Sequence, residues 1–123
     1  MIRGVRGAAT VDENNHDMLV DAAEQLLKEM ISLNKIEAED VCSIFISVTE
    51  DLDAAFPAKA IRKIEGWSYV PVICMKEIPV PGSLEKCVRI MMHVNTEVPQ
   101  KDIQHVYQGK AVSLRPDLQK QQN

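Results

Sequence analysis

At 123 residues the chain is long enough for one domain and too short for two, and it can bury about two-thirds of its unfolded surface. Its net charge of -4 offers no general attraction for nucleic acid or a membrane surface, and no Lys/Arg cluster supplies a local one. Hydrophobic residues make up 46% of it, yet there are only one Trp, two Tyr and two Phe, so the core should be aliphatic with Met filling gaps.

"IRGVRGAATV" begins as a short strand, with Gly4 and Gly7 permitting bends or close backbone approach. "NNHDMLVDAAEQLLKEMISLN" predicts the one long helix. Asn14 or Asn15 can cap it, and Asp17 suits its positive end. Leu19, Ala22, Ala23, Leu26, Leu27, Met30 and Ile31 recur at helical spacing as a wide apolar stripe. "AEDVCSIFISVT" turns into a β-rich run ending near Thr49. "FPAKAIRKIEG" reads as a short helix, with Pro57 near its start and Gly66 past its end. Strands are expected over 69–78 and 87–94, joined through a Pro-Gly turn. A helical turn or two follows Pro99, "KAVSLRP" predicts a last short strand, and the polar tail at about 116–123 is expected to fray.

The order β-α-β-α-β-β-α-β with short connections predicts an α+β fold. It is a single domain over 1–123, with a mixed sheet of about five strands and one long and two short helices on one face. Such helices cannot cover both faces, and the uncovered face carries apolar side chains. It should bury against another chain, which predicts a homo-oligomer. Three cysteines without regular spacing argue against a disulfide framework. "MIRGVRGAATV" lacks the apolar core of a signal peptide, and no apolar run approaches the ~20 residues of a membrane span. The expectation is a soluble, reduced, cytoplasmic protein with no nucleic-acid or membrane partner.

Two ionisable residues are set into the apolar strands. Arg89 shares a strand face with Cys87, Met91 and His93, while Val88, Ile90, Met92 and Val94 share the other. A charge there is expensive unless paired. A salt bridge to Glu77 answers this, and so does an anionic ligand. Cys74 and Glu77 are three apart and point to opposite faces unless the chain turns between them. Arg6, Lys59, Arg62 and Arg115 lie near element ends, where sites are usually built, although a solvated cation is the default for each. Several fixed arginines suit a small carboxylate, which the planar guanidinium matches bidentately. Cys74 as a nucleophile needs a base among His16, His93 and His105, and no motif ties them together. Metal spacings and glycine-rich nucleotide loops are absent from the sequence.

"RGVRGAATV", "TEDLDAAFPAKAIRKIEGWSYVPVICMKEI", "KCVRIMMHVNTEVPQKDIQHVY" and "LRPDL" together resemble the monofunctional chorismate mutases of the AroH class. The resemblance spans nearly the whole chain. It implies a homotrimer with a pseudo-α/β-barrel arrangement, related to the deaminase trimer fold, and active sites at subunit interfaces. It implies conversion of chorismate to prephenate for phenylalanine and tyrosine synthesis, without cofactor or metal. By the same resemblance Arg6 binds a substrate carboxylate and Tyr107 helps hold one. Cys74 and Glu77 line the ring side, together with Ile73, Met75 and Lys76, and Glu77 accepts the substrate hydroxyl. Arg89 faces the ether oxygen, so that Arg89 and Glu77 are not mainly paired with each other and each meets a different part of one ligand. Phe56, Lys59 and Arg62 come from the neighbouring subunit, and Arg115 is a mobile C-terminal contributor. Ile73 stands where the family often has Thr. The alternatives are a carboxylate-binding trimer of the related deaminase fold and a regulatory protein that binds a pathway acid without turnover.

Overall fold

The structure, a computed structural model, describes residues 1–114; Arg115 and the tail expected at 116–123 lie outside the described residues. Five strands form one mixed sheet: β1 (Ile2–Thr10), β2 (Val41–Val48), β3 (Val72–Lys76), β4 (Cys87–Asn95) and β5 (Val106–Gln108), in the order β3-β2-β4-β1-β5. β4 is antiparallel to both β1 and β2, whereas β1–β5 and β2–β3 are parallel pairs.

The one α-helix among the described residues, α1 (His16–Asn34), lies on one face of this sheet. Its N-cap is Asn15, whose side chain accepts the Met18 N–H at 3.1 Å. Asn14 instead accepts the N–H groups of Asp53 and Ala54, fastening the loop after β2 to the helix start. Leu19, Ala23, Leu26, Leu27 and Met30 are fully buried against Val5, Ile44, Ile46, Val88, Ile90 and Met92. Each large aliphatic so buried contributes roughly 1.5–3 kcal/mol. Gly7 lets the helix lie this close: a Cβ there would sit 2.5 Å from Met30 Sδ.

The two short helices are 3-10 segments, Pro57–Lys63 beside α1 and Gln100–Asp102 after Pro99. The strand expected over 69–78 is shorter. It begins after Pro71, which has no N–H for a ladder, and ends before the Pro79–Pro81 loop. The strand expected at 110–116 does not form over its described part, 110–114. Pairing with β1 falls on Val106–Gln108. Gly109 then turns the chain with φ +60, the Lys110 N–H goes to Thr10 Oγ1 at 2.9 Å, and Gly109–Leu114 winds as a 3-10 segment. That segment straps part of the sheet face opposite α1, where Ala111 packs on Ala8 and Cys87. The rest of this open face exposes Phe45 at 38%, Ile73 at 58% and Met75 at 45%. No helix among the described residues is long and apolar enough to cross a membrane.

Candidate active site

The strand registers line up the open face in rows. Met75 lies opposite Ser47, Ser47 opposite Arg89, Arg89 opposite Ala8 and Ala8 opposite Tyr107, so one row crosses all five strands. A second row runs Ile73, Phe45, Met91 and Arg6. These side chains share a face because strand side chains alternate. Ala8 is small, so a hollow opens between Arg89 and Tyr107. The result is a cleft of about 340 Å³ lined by Arg6, Ser47, Met75, Arg89, Tyr107 and Leu114 among others.

Within the cleft, Arg89 Nε is 3.4 Å from Glu77 Oε2, and Ser47 Oγ donates to the same oxygen at 2.9 Å. The Glu77 backbone N–H donates to Val48 O, continuing the β2–β3 ladder past the end of β3. Arg89 is therefore paired with Glu77, yet its side chain remains 48% exposed to the cleft. The separation exceeds the ~2.7–2.9 Å of a tight charge-assisted hydrogen bond, so the contact is a loose one. Cys87 lies beneath, buried with Ala8 and Ala111. Burial pushes its thiol up from the ordinary range, against the opposing pull of nearby Arg89.

A second hollow, of about 700 Å³, is lined by Phe56, Lys59, Cys74, Met75 and Lys76 among others. Phe56 and Lys59 come from the start of the Pro57–Lys63 segment and the residue before it. Phe56 is 73% exposed, an unusual state for an aromatic ring. Lys59 Nζ is held 3.1 Å from His16 Nε2. Arg62 is exposed on the same 3-10 segment.

Arg6, Met75, Arg89 and Tyr107 thus line the first cleft, and Phe56, Lys59, Cys74 and Lys76 border the second hollow. Glu77 reaches the edge of the first cleft through Arg89, while lining a neighbouring hollow beside Thr49 and the Pro79–Pro81 loop. Ile73 is exposed on the open face of edge strand β3. Cys74 and Glu77 are not brought together within the chain. Cys74 stays in register with buried Ile46 and packs on the α1-side core, while Glu77 reaches Ser47 on the open face. The turn that would join them does not occur, because the ladder continues regularly to Glu77. Lys76 lies 4.0 Å from Glu50. Sequence reasoning missed Ser47, which orients Glu77; its signal was a small polar residue alternating with Ile46 and Phe45 in a strand. Leu114 was missed because it was assigned to a strand.

Fold and site define a small α+β domain that presents an arginine-lined cleft on a partly open sheet face. Comparison with known proteins makes this specific. Residues 2–118 match the family Chorismate mutase type I. The chain is 52% identical over 118 residues to Chorismate mutase AroH of Bacillus subtilis (strain 168), covering 96% of this chain and 93% of that protein. It is 44% identical to Chorismate mutase AroH of Thermus thermophilus, covering 99% of this chain and all of that one, 100%. A solved structure, the chorismate mutase from Clostridium thermocellum, superimposes with a TM-score of 0.87 at 53% identity, covering 89% of this chain and 97% of that one. The chain belongs to the type I chorismate mutases.

Proposed function

We infer that the chain is a chorismate mutase, an isomerase that rearranges chorismate to prephenate on the route to phenylalanine and tyrosine, acting in the cytoplasm. The observation that carries this reading is the row Ser47–Arg89–Ala8–Tyr107, with Arg6 one row away, in a chain that matches the family over residues 2–118. Chorismate carries two carboxylates, an ether oxygen and a ring hydroxyl. Its rearrangement is a concerted pericyclic shift, so no proton need move and no covalent intermediate forms. The protein's task is to hold the compact conformer and to stabilise the charge that separates as the C–O bond breaks. Arg89 meets negative charge growing on the ether oxygen. Glu77, oriented by Ser47, accepts the hydroxyl and faces the positive character growing on the ring. Arg6 and Tyr107 bind carboxylate.

Phe56, Lys59, Arg62 and Cys74 serve the same substrate from a neighbouring chain of a homotrimer, with Arg115 contributing from the C-terminal end. Support comes from the position of Phe56, Lys59 and Cys74 at a second hollow, which shares only Met75 with the lining of the Arg89 cleft, from the exposure of Arg62 on the Pro57–Lys63 segment, and from the apolar side chains exposed on the open face. The test is to mix purified protein with chorismate, follow the loss of its absorbance and identify the product. Turnover to prephenate is expected. Binding of chorismate without turnover by folded protein would instead make this a regulatory carboxylate-binding protein.

A further inference from the structure

We propose that His105 is a positioning residue for the substrate site, holding Arg6 through its backbone; the proposal rests on the reading of Arg6 as a substrate contact. The Arg6 backbone N–H donates to His105 Nδ1 at 3.0 Å, across 99 residues of sequence. The β1–β5 ladder begins at Gly7 opposite Val106. One residue earlier, Arg6 and His105 stand opposite each other, and there an imidazole supplies the acceptor. The contact is partly buried.

Three anchors hold the segment that carries Tyr107. Asn34 exchanges hydrogen bonds with the Gln104 backbone at 2.8 Å in both directions, and Gln108 donates to Glu29 on α1. The third anchor is His105, and it alone of these reaches a residue that lines the cleft. A strand's backbone sets where its side chain points, so the bond fixes the direction of the Arg6 guanidinium and the start of β5 together. It also fixes the ring's state. Nδ1 must carry the lone pair, which leaves the proton on Nε2. An imidazolium has no acceptor and would set one N–H against another. The charged and titratable groups on the elements packed around this corner include Arg3 and Arg6 on β1, Cys87, Arg89 and His93 on β4, Glu24, Lys28 and Glu29 on α1, Lys110 on the Gly109–Leu114 segment, and Lys101, Asp102 and Tyr107 on the His105 segment.

The experiment compares wild type, His105→Ala and His105→Asn, each shown folded by circular dichroism. Asn places Oδ1 where His has Nδ1 and does not titrate. His105→Ala should raise KM for chorismate about tenfold or more, the scale of a misplaced binding group, with a smaller change in kcat. His105→Asn should stay within about threefold of wild type. Wild type should lose kcat/KM toward acid pH along a limb that His105→Asn lacks. In an Arg6→Ala background, His105→Ala should add little. Ala and Asn variants equally impaired, or both like wild type, would overturn the proposal. So would superimposable pH profiles of wild type and His105→Asn, the comparison that decides if the Ala variant does not fold. Independently of turnover, the imidazole nitrogen signals of the full chain should show an unprotonated Nδ1 at neutral pH; a protonated Nδ1 also overturns it. If Arg6→Ala alone leaves kcat/KM unchanged, the reading of the site has failed; if Arg6→Ala is impaired while the His105 variants behave alike, only the positioning role has.

Discussion

Arg89 works from the middle of a paired strand, so its backbone cannot shift to follow a substitution. Its Nε faces Glu77, and that carboxylate is itself held by Ser47. Charge on the ether oxygen exists only as the bond breaks, so in the role proposed for it Arg89 would stabilise the transition state more than the bound substrate. Arg89→Ala should cost ~3–4 kcal/mol of barrier, a loss in kcat of roughly 10²–10³. Arg89→Lys should not restore it, because a point ammonium does not reproduce a fixed guanidinium fork. Steady-state kinetics of both variants decide this, and a Lys variant turning over normally would contradict it. Cys87 below makes a separate prediction. Its folded-state thiol is pushed up, chiefly by burial. The proton therefore stabilises the fold fully below the ordinary thiol range of ~8.5, and that contribution falls away as pH rises above it. Denaturation midpoints should decline between about pH 8 and 10 in wild type and decline less in Cys87→Ala.

At the scale of elements, β1 carries more than its length suggests. Its odd positions Val5, Gly7 and Ala9 face α1, while Arg6 and Ala8 face the cleft. The spacing between helix and sheet therefore couples to the site through one strand. Gly7→Ala should overpack this contact, since its Cβ would meet Met30 Sδ at 2.5 Å and Leu26 Cδ1 at 3.1 Å, both on fully buried side chains. A loss of about 1–3 kcal/mol is expected, seen as a Tm lower by several degrees. An unchanged Tm would mean that α1 moves away without cost. The two faces of β4 were legible in the sequence, because Arg89 and His93 fall on the alternate positions to Val88, Ile90, Met92 and Val94. The placement of β5 was not. Val106–Gln108 is only three residues long, and its pairing depends on Gly109 leaving the sheet at φ +60.

For the whole molecule, the two hollows of a single chain lead to a prediction about mixing. Suppose Arg89→Ala and Arg62→Ala chains are each nearly inactive but assemble. In a head-to-tail trimer made from both, some interfaces join an intact Arg89 to an intact Arg62. Random mixing leaves roughly a quarter of the interfaces complete. Co-expression should therefore recover about that fraction of wild-type activity, once mass spectrometry shows mixed trimers. If both arginines served a site from the same chain, no site would be complete and nothing would return.

The sequence by itself determined the long helix, its buried stripe, the alternation that puts Arg89 opposite the core and the sheet's uncovered face. The first three follow from periodicity, which is local, and the last from having too few helices to cover two faces. Residue patterning left open whether Cys74 and Glu77 converge and whether Arg89 and Glu77 meet. The resemblance implied that Arg89 and Glu77 are not mainly paired with each other, whereas within the chain they are in contact. The tertiary structure decided both, through a strand order of β3-β2-β4-β1-β5 that brings Ser47, Arg89, Ala8 and Tyr107 into one row. Register across non-neighbouring strands is a property of the whole core's packing, and no short stretch of residues encodes it.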